Sequence, residues 1–311
     1  MNTGCFLPEG WLLGTAENAV RIRTMGAVKE TIAAGDIVEG RATVCDSGHN
    51  LYVEFGPWRG FIPREEGAIG ISDGTVKDIA ILSRVGKPVC FKILGLTTDP
   101  DGRLLFSLSR KAAQLACREH YIDQLKPGDV IPAEVTHLEP FGCFVDIGCG
   151  ISSLIPIDSI SVSRISHPSD RFQVGQNIRA VIKALEGGRV FLTHKELLGT
   201  WEENARLFHR DETVTGIVRS VEHYGIFVEL TPNLAGLAEP KEGVQVGQTA
   251  SVYIKSLIPE KMKIKLTVVD SFFSELPAQP MQYYEDSGHI DRWRYSPACC
   301  PRLVETVFGQ E

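Results

Sequence analysis

Aromatic residues occur in pairs, three positions apart, at three places in the sequence. The pairs are Phe141 with Phe144, Tyr224 with Phe227 and, nearer the N-terminus, His49 with Tyr52. Each pair is followed later in the chain by a cation, respectively Arg189, Lys263 and Arg103. Aromatic rings stack on nucleobases for about 1–3 kcal/mol per base, and nearby cations contact phosphates. The pairs therefore indicate contact with nucleic acid; the alternative is that each ring only packs against a neighbouring element.

The elements that carry these rings repeat three times. Each repeat contains a strand of alternating apolar and polar residues, at 51–56, 143–148 and 226–230. The last strand of each repeat ends at Ser109, Thr193 or Thr267, so each repeat has five short strands separated by Gly and Pro turns. A small open sheet would leave edges and an unburied face. We therefore predict a mainly β protein built from three tandem five-stranded OB-type barrels.

The alternation also assigns the two faces of these strands. In the second repeat the apolar face carries Cys143, Val145 and Ile147. Phe144 and Asp146 share the opposite face, and the same ring and carboxylate recur as Tyr52 with Glu54 and as Phe227 with Glu229. Because the apolar face must line the core, we expect the rings and the carboxylates to lie outside the barrels.

The repeats and the segments between them predict seven regions. They are an N-terminal helical segment (1–34), the first barrel (35–110), a helical linker (111–126), the second barrel (127–194), a second helical linker (195–210), the third barrel (211–270) and a C-terminal tail (271–311). Helix-favouring residues place helices at Thr15–Ala34, Arg110–Gln124 and Lys195–Phe208. The tail is rich in aromatic residues, so we expect it to pack rather than to be a flexible linker.

Composition and charge limit the class of protein. The chain has 311 residues, of which 43% are hydrophobic and 23% charged, which is typical of folded globular proteins. A formal charge of −7 argues against a protein that coats nucleic acid through bulk positive charge, but not against one narrow binding face on each barrel. The sequence shows neither a membrane-spanning apolar run nor a signal-peptide pattern. We expect a cytoplasmic protein with reduced cysteines and no membrane contact.

Motifs for catalysis and metal binding are weak. The sequence has neither a Gly-x4-Gly-Lys phosphate loop nor a His-Glu-x-x-His motif. The carboxylates of Asp99-Pro100-Asp101-Gly102 are typical of a turn. Cys299 and Cys300, with His289 upstream, lack the spacing that tetrahedral zinc favours. We predict no enzyme activity, no cofactor and no metal.

One family resembles these repeats. Phe-Gly-x-Phe-Val-Asp at 141–146, followed by Ser-Ser-Leu-Ile-Pro, Val-Gly-Gln and a terminal apolar-Thr strand, is similar to the RNA-binding domain named after small-subunit ribosomal protein S-one. The resemblance covers about 35–110, 127–199 and 211–270, and the second repeat matches best. It implies an RNA face formed by Phe141, Phe144, Tyr224 and Phe227, with Arg189 and Lys263 as the basic residues. It also implies a third-strand histidine, which this chain replaces with Pro63, Pro156 and Glu239.

A loop in the second repeat, residues 163–171, adds further cations. We expect Arg164 and Arg171 to lie beside the RNA face of this repeat, together with His167; the alternative is a solvated loop. The first repeat departs furthest from the family, because His49 replaces its first aromatic residue and Leu105 its basic residue.

The leading hypothesis is a noncatalytic protein that binds single-stranded RNA along successive barrels and acts on mRNA in translation, with the small ribosomal subunit as a second partner. The alternative is a scaffold whose barrels dock on the ribosome or on another protein. An RNA-processing enzyme is a third class, but the three repeats occupy nearly the whole chain and leave no room for a catalytic domain.

Overall fold

The computed structural model describes residues 6–98, 102–274 and 281–309. Its contacts divide the chain into two compact units. The first comprises 1–125, 132–134 and 146–152, and the second comprises 126–131, 135–145 and 153–311. No helix among the described residues is long and apolar enough to cross a membrane.

The first barrel follows two short helices, α1 (Ala16–Ile22) and α2 (Met25–Ala34). Its strands are β1 (Ile37–Cys45), β2 (Leu51–Phe55), β3 (Trp58–Ile62), β4 (Pro88–Thr98) and β5 (Leu104–Ser109), with α3 (Ile79–Leu82) before β4. They close in the order β1-β2-β3-β5-β4, with β3 and β5 parallel. Phe55 packs edge to face on both Phe91 and Phe106 in its core.

The second and third barrels repeat this topology. The second barrel consists of β6 (Val130–Glu139), β7 (Gly142–Asp146), β8 (Ser152–Pro156), β9 (Asn177–Glu186) and β10 (Arg189–Thr193). The third consists of β11 (Thr213–Glu222), β12 (Gly225–Thr231), β13 (Leu234–Ala238), β14 (Thr249–Ile258) and β15 (Lys263–Phe272). Both are closed, and in both the third and fifth strands run parallel. The prediction of three five-stranded barrels is confirmed.

The helical segments form, but in shorter pieces than predicted. The first breaks in two because Thr24 caps the start of α2, where its hydroxyl accepts a hydrogen bond from the Ala27 N–H. The second is α4 (Arg110–His120) followed by a 3-10 turn. The third is only a 3-10 turn at Lys195–Leu198 and α5 (Trp201–Ala205). Gly199, at φ +81°, separates these two pieces. A larger residue does not fit there, since a Cβ would lie 2.7 Å from the Tyr284 ring.

The C-terminal tail packs through its rings. Trp293, Tyr295 and Phe308 are buried, and a small hairpin joins β16 (Arg292–Arg294) to β17 (Glu305–Val307). The Tyr295 hydroxyl donates a 2.6 Å hydrogen bond to the carbonyl of Asn233, beside the third barrel. The tail is therefore part of the second compact unit rather than a linker.

Candidate nucleic-acid interface

In the second barrel the predicted ring pair is brought together at the turn between β6 and β7. The ring centroids of Phe141 and Phe144 are 6.1 Å apart, with their planes at 88°. Phe141 is 56% exposed, while Phe144 is half-buried on β7. His137, which sequence reasoning missed, places a third ring 6.4 Å from Phe144. Arg189, the first residue of β10, is exposed.

The third barrel repeats this arrangement at the turn between β11 and β12. Tyr224 and Phe227 have ring centroids 6.2 Å apart and planes at 86°. Tyr224 is 56% exposed, like Phe141, and His223 adds a ring 4.9 Å from it. Lys263 is exposed as the first residue of β15. Two barrels therefore present the same edge-to-face pair.

A glycine between the two rings makes each pair possible. A Cβ on Gly142 would lie 2.5 Å from the carbonyl oxygen of Ile155, and one on Gly225 would lie 2.6 Å from that of Ala238. The third strand of each barrel thus passes too close for any other residue. The Phe-Gly-x-Phe and Tyr-Gly-x-Phe spacing places one ring on the turn and the other on the strand.

The first barrel has a different surface at the same place. Tyr52 pairs with Phe61 of β3, at 5.5 Å between centroids, and sequence reasoning missed Phe61. His49 has a positive φ of 61°, and its Nδ1 lies 3.2 Å from a carboxylate oxygen of Asp78. Arg64 Nε lies 2.7 Å from the other oxygen of Asp78. An acidic residue therefore lies beside His49, which replaces the outer ring in this barrel.

The position of the basic residue also differs in the first barrel. Leu105, which stands where Arg189 and Lys263 stand in the other repeats, is buried. Arg103 lies exposed just before β5.

The expectation that the strand carboxylates lie outside is correct for Glu54 and wrong for Asp146. Glu54 is exposed. Asp146 is buried and accepts hydrogen bonds from the backbone N–H groups of Glu9, Gly148 and Gly150. Burial raises the pKa of the Asp146 carboxyl to about 7. The outward side of a strand becomes interior when another segment of the chain covers it.

Glu229 is the second exception, and it also accounts for Arg171. The Arg171 side chain is only 4% exposed and forms an ion pair with Glu229, which is 6% exposed. Arg219 lies 2.9 Å from Glu229 and 3.1 Å from Asp170. The structure thus contradicts the expectation that Arg171 is available beside the RNA face, because its guanidinium is buried in an ion pair with Glu229. Arg164 is exposed, which fits both a place beside the RNA face and a solvated loop.

Strand register adds residues that sequence reasoning did not single out. In the third barrel Phe227 pairs with Leu237, and Leu237 with Lys265. In the second barrel Leu154 pairs with Phe191. Phe191 and Lys265 each lie two residues after the basic residue of their strand, so period-2 alternation places them on the same face as Arg189 and Lys263.

Two further patterns concern metal binding and nucleophilic catalysis, and sequence reasoning missed the second of them. Among residues 6–98, 102–274 and 281–309, no cluster of His, Cys, Asp or Glu is able to hold a metal ion. Asp99, Pro100 and Asp101 lie outside the described residues. Gly70-Ile71-Ser72-Asp73-Gly74 fits the Gly-x-Ser-x-Gly pattern of a nucleophile elbow, but it lies in a series of turns rather than between a strand and a helix.

The second barrel and most of the chain are similar to known proteins. Residues 124–195, which contain the second barrel, match the S1 RNA binding domain. Small ribosomal subunit protein bS1 of Staphylococcus aureus strain COL is 29% identical over 259 residues, which cover 78% of this chain and 63% of that protein. The bS1 protein of Staphylococcus epidermidis is 29% identical over 288 residues, covering 85% of this chain and 70% of that protein.

One solved structure is also similar, a multidomain protein with nucleic acid binding domains from Streptococcus pneumoniae. It is 16% identical and covers 78% of this chain and 76% of its own, with a TM-score of 0.25. The chain carries an S1-type domain and is similar to bS1 over most of its length, so the resemblance noted in the sequence is confirmed. This chain spans 63% of the length of the Staphylococcus aureus bS1 protein.

Proposed function

We propose that this chain is a noncatalytic protein that binds single-stranded RNA by stacking bases on the ring pairs of its second and third barrels. The observation that carries the proposal is the repeated geometry: two edge-to-face pairs, at 6.1 and 6.2 Å, each in a barrel whose last strand begins with an exposed cation. The rings are exposed at the same position of two barrels, and the cores close without them. We therefore attribute them to ligand binding rather than to folding.

The edge-to-face arrangement suits a base. In each pair the outer ring, Phe141 or Tyr224, is 56% exposed, and the inner ring supports it with the two planes nearly perpendicular. A supported ring loses little conformational freedom when a base stacks on it. Both pairs belong to the second compact unit, so one RNA strand engaging both gains effective concentration for the second contact.

The relatives support the biological setting that we propose. They are small ribosomal subunit proteins, so the RNA that we propose is mRNA in translation, the second partner is the small ribosomal subunit and the location is the cytoplasm. A chain with a net charge of −7 must rely more on stacking than on counterion release. We therefore expect a shallow dependence of affinity on salt, equivalent to about one to three phosphates per barrel.

The test removes the two exposed rings together. The Phe141→Ala, Tyr224→Ala variant should bind an unstructured oligouridylate of about 20 nucleotides at least tenfold more weakly than the wild type, measured by fluorescence anisotropy. Phe273→Ala is the matched control, because Phe273 is 64% exposed and follows the end of β15 opposite Lys263. If the double variant binds as well as the wild type, the stacking model is wrong.

Docking on the small ribosomal subunit is the second candidate function, and one feature of the first barrel favours it. Leu94 and Leu96 on β4 and Leu104 on β5 are large apolar side chains that remain exposed. A variant with serine at these three positions should sediment less with small subunits after nuclease treatment, while its affinity for the oligouridylate stays unchanged.

A further inference from the structure

The register of the third barrel extends the ring surface across two more strands. Phe227 of β12 is directly opposite Leu237 of β13, which is directly opposite Lys265 of β15. Paired residues on neighbouring strands point to the same side, and the strands are about 4.8 Å apart. Lys265, which is exposed, therefore lies about 10 Å from Phe227 on the same face of the barrel.

The corresponding residue of the second barrel is aromatic. Phe191 of β10 is directly opposite Leu154 of β8 and is 42% exposed. It lies two residues after Arg189, so the cation and the ring point the same way along one strand. The second barrel thus has a ring where the third barrel has an ammonium group.

The first barrel shows that the fold does not require either side chain. Its row runs from Tyr52 to Phe61 to Ser107, and the barrel still closes with the same strand order. A serine is therefore sufficient at this position of the fifth strand. Phe191 and Lys265 are additions to a surface rather than parts of a core.

We propose that this fifth-strand residue sets which part of the RNA each barrel binds. Phe191 stacks a further nucleobase in the second barrel, and Lys265 binds a phosphate in the third. The inference rests on the proposed function, because it extends the same RNA face. It makes the second barrel a stacking site that depends little on salt and the third barrel a site with greater salt dependence.

The substitutions in this experiment are taken from the corresponding positions of the other barrels. Phe191→Ser and Lys265→Ser introduce the residue of the first barrel, and Phe191→Lys introduces that of the third. Each variant of the full chain is titrated with the oligouridylate at several salt concentrations. Thermal unfolding verifies that each variant is folded, and Phe273→Ser is the control for loss of an exposed ring.

The expected results differ in kind. Phe191→Ser should weaken binding about fivefold or more at every salt concentration and leave the salt slope unchanged. Lys265→Ser should weaken binding chiefly at low salt and reduce the slope of log K against log salt by about 0.7. Phe191→Lys should increase that slope by about the same amount.

The inference is overturned if Phe191→Ser binds like the wild type, or if Lys265→Ser keeps the wild-type slope. If these variants have no effect while the Phe141, Tyr224 double variant loses affinity, only the fifth-strand assignment is wrong. If the double variant also binds normally, the proposed function itself is wrong.

Discussion

The first and third barrels have the same strand order, and Glu54 and Glu229 hold the same position in the same strand of each. Glu54 is exposed and lies directly opposite Arg59. Glu229 is buried between Arg171 and Arg219. The repeat thus determines what points into each barrel, whereas the outward residues take their environment from segments that the repeat does not contain.

In the third barrel that segment comes from the loop at 161–171. The Val162 N–H donates to the side-chain oxygen of Asn233, and the Ser163 N–H donates to the carbonyl of Pro232. Asn233 in turn donates from its amide nitrogen to the carbonyls of Lys195 and Gly199. The loop therefore lies over the end of β12 and closes the space around Glu229.

The largest expected effect tests this difference directly. Glu229→Ala should lower the free energy of unfolding by about 3–5 kcal/mol, because it leaves Arg171 buried without a carboxylate. Glu54→Ala should change it by no more than about 0.5 kcal/mol. Urea unfolding at neutral pH, followed in the transition that contains the third barrel, measures both. Equal losses in the two variants would mean that the two positions are energetically alike.

The same contrast explains what the sequence predicted. The inward alternation of Cys143, Val145 and Ile147 was sufficient to predict the barrels, since a core depends on residues within one repeat. The ring pairs followed from local spacing as well. Burial of Asp146 depends on Glu9, which is far away in the sequence, and no periodicity reports such a contact.

The predicted length of the third helix was wrong, and the strand pairing was missed, for the same reason. Gly199 interrupts the predicted helix at Lys195–Phe208, and Tyr284, from the tail, occupies the space where a side chain would stand. Phe191 and Lys265 were missed because the pairing of the third strand with the fifth joins residues that are remote in sequence. The local sequence pattern identifies strands and helices. The residues that cover their outer faces come from distant parts of the chain and are known only from the folded structure.

A second prediction extends the comparison to Glu39, a buried glutamate of the first barrel. Unlike Glu229, Glu39 is bound by the backbone N–H groups of Gly10, Leu12 and Leu13. Burial, with repulsion from Glu9, raises the pKa of Glu39 to about 7 despite these hydrogen bonds. The folded state then holds a proton that the unfolded state releases near pH 4.5.

The contribution of Glu39 to stability is therefore complete below about pH 4.5 and is lost as the pH rises through about 7. Its maximum slope is about 1.4 kcal/mol per pH unit. Urea unfolding of the wild type and of Glu39→Gln between about pH 5 and pH 8 isolates this slope as the difference between the two proteins. Parallel pH profiles would show that Glu39 keeps an ordinary pKa in the fold.

The smallest expected effect concerns RNA affinity in the first barrel. Tyr52→Leu should weaken binding of the oligouridylate by less than about twofold, whereas Tyr224→Leu should weaken it about fivefold or more. The reason is charge: His49 and Arg64 are both engaged by Asp78, whose carboxylate repels a phosphate. Leucine keeps the apolar contact of Tyr52 with Phe61, so the substitution removes the stacking ring with little change in packing.

Asp78→Asn sharpens this last comparison. It removes the repelling charge and frees the Arg64 guanidinium from its carboxylate partner, so affinity should rise modestly, and the rise should disappear when Tyr52→Leu is added. Anisotropy titrations of the two single variants and the double variant form the cycle. If Tyr52→Leu alone lowers RNA affinity as much as Tyr224→Leu does, the first barrel binds RNA as strongly as the third, and Asp78 does not distinguish them.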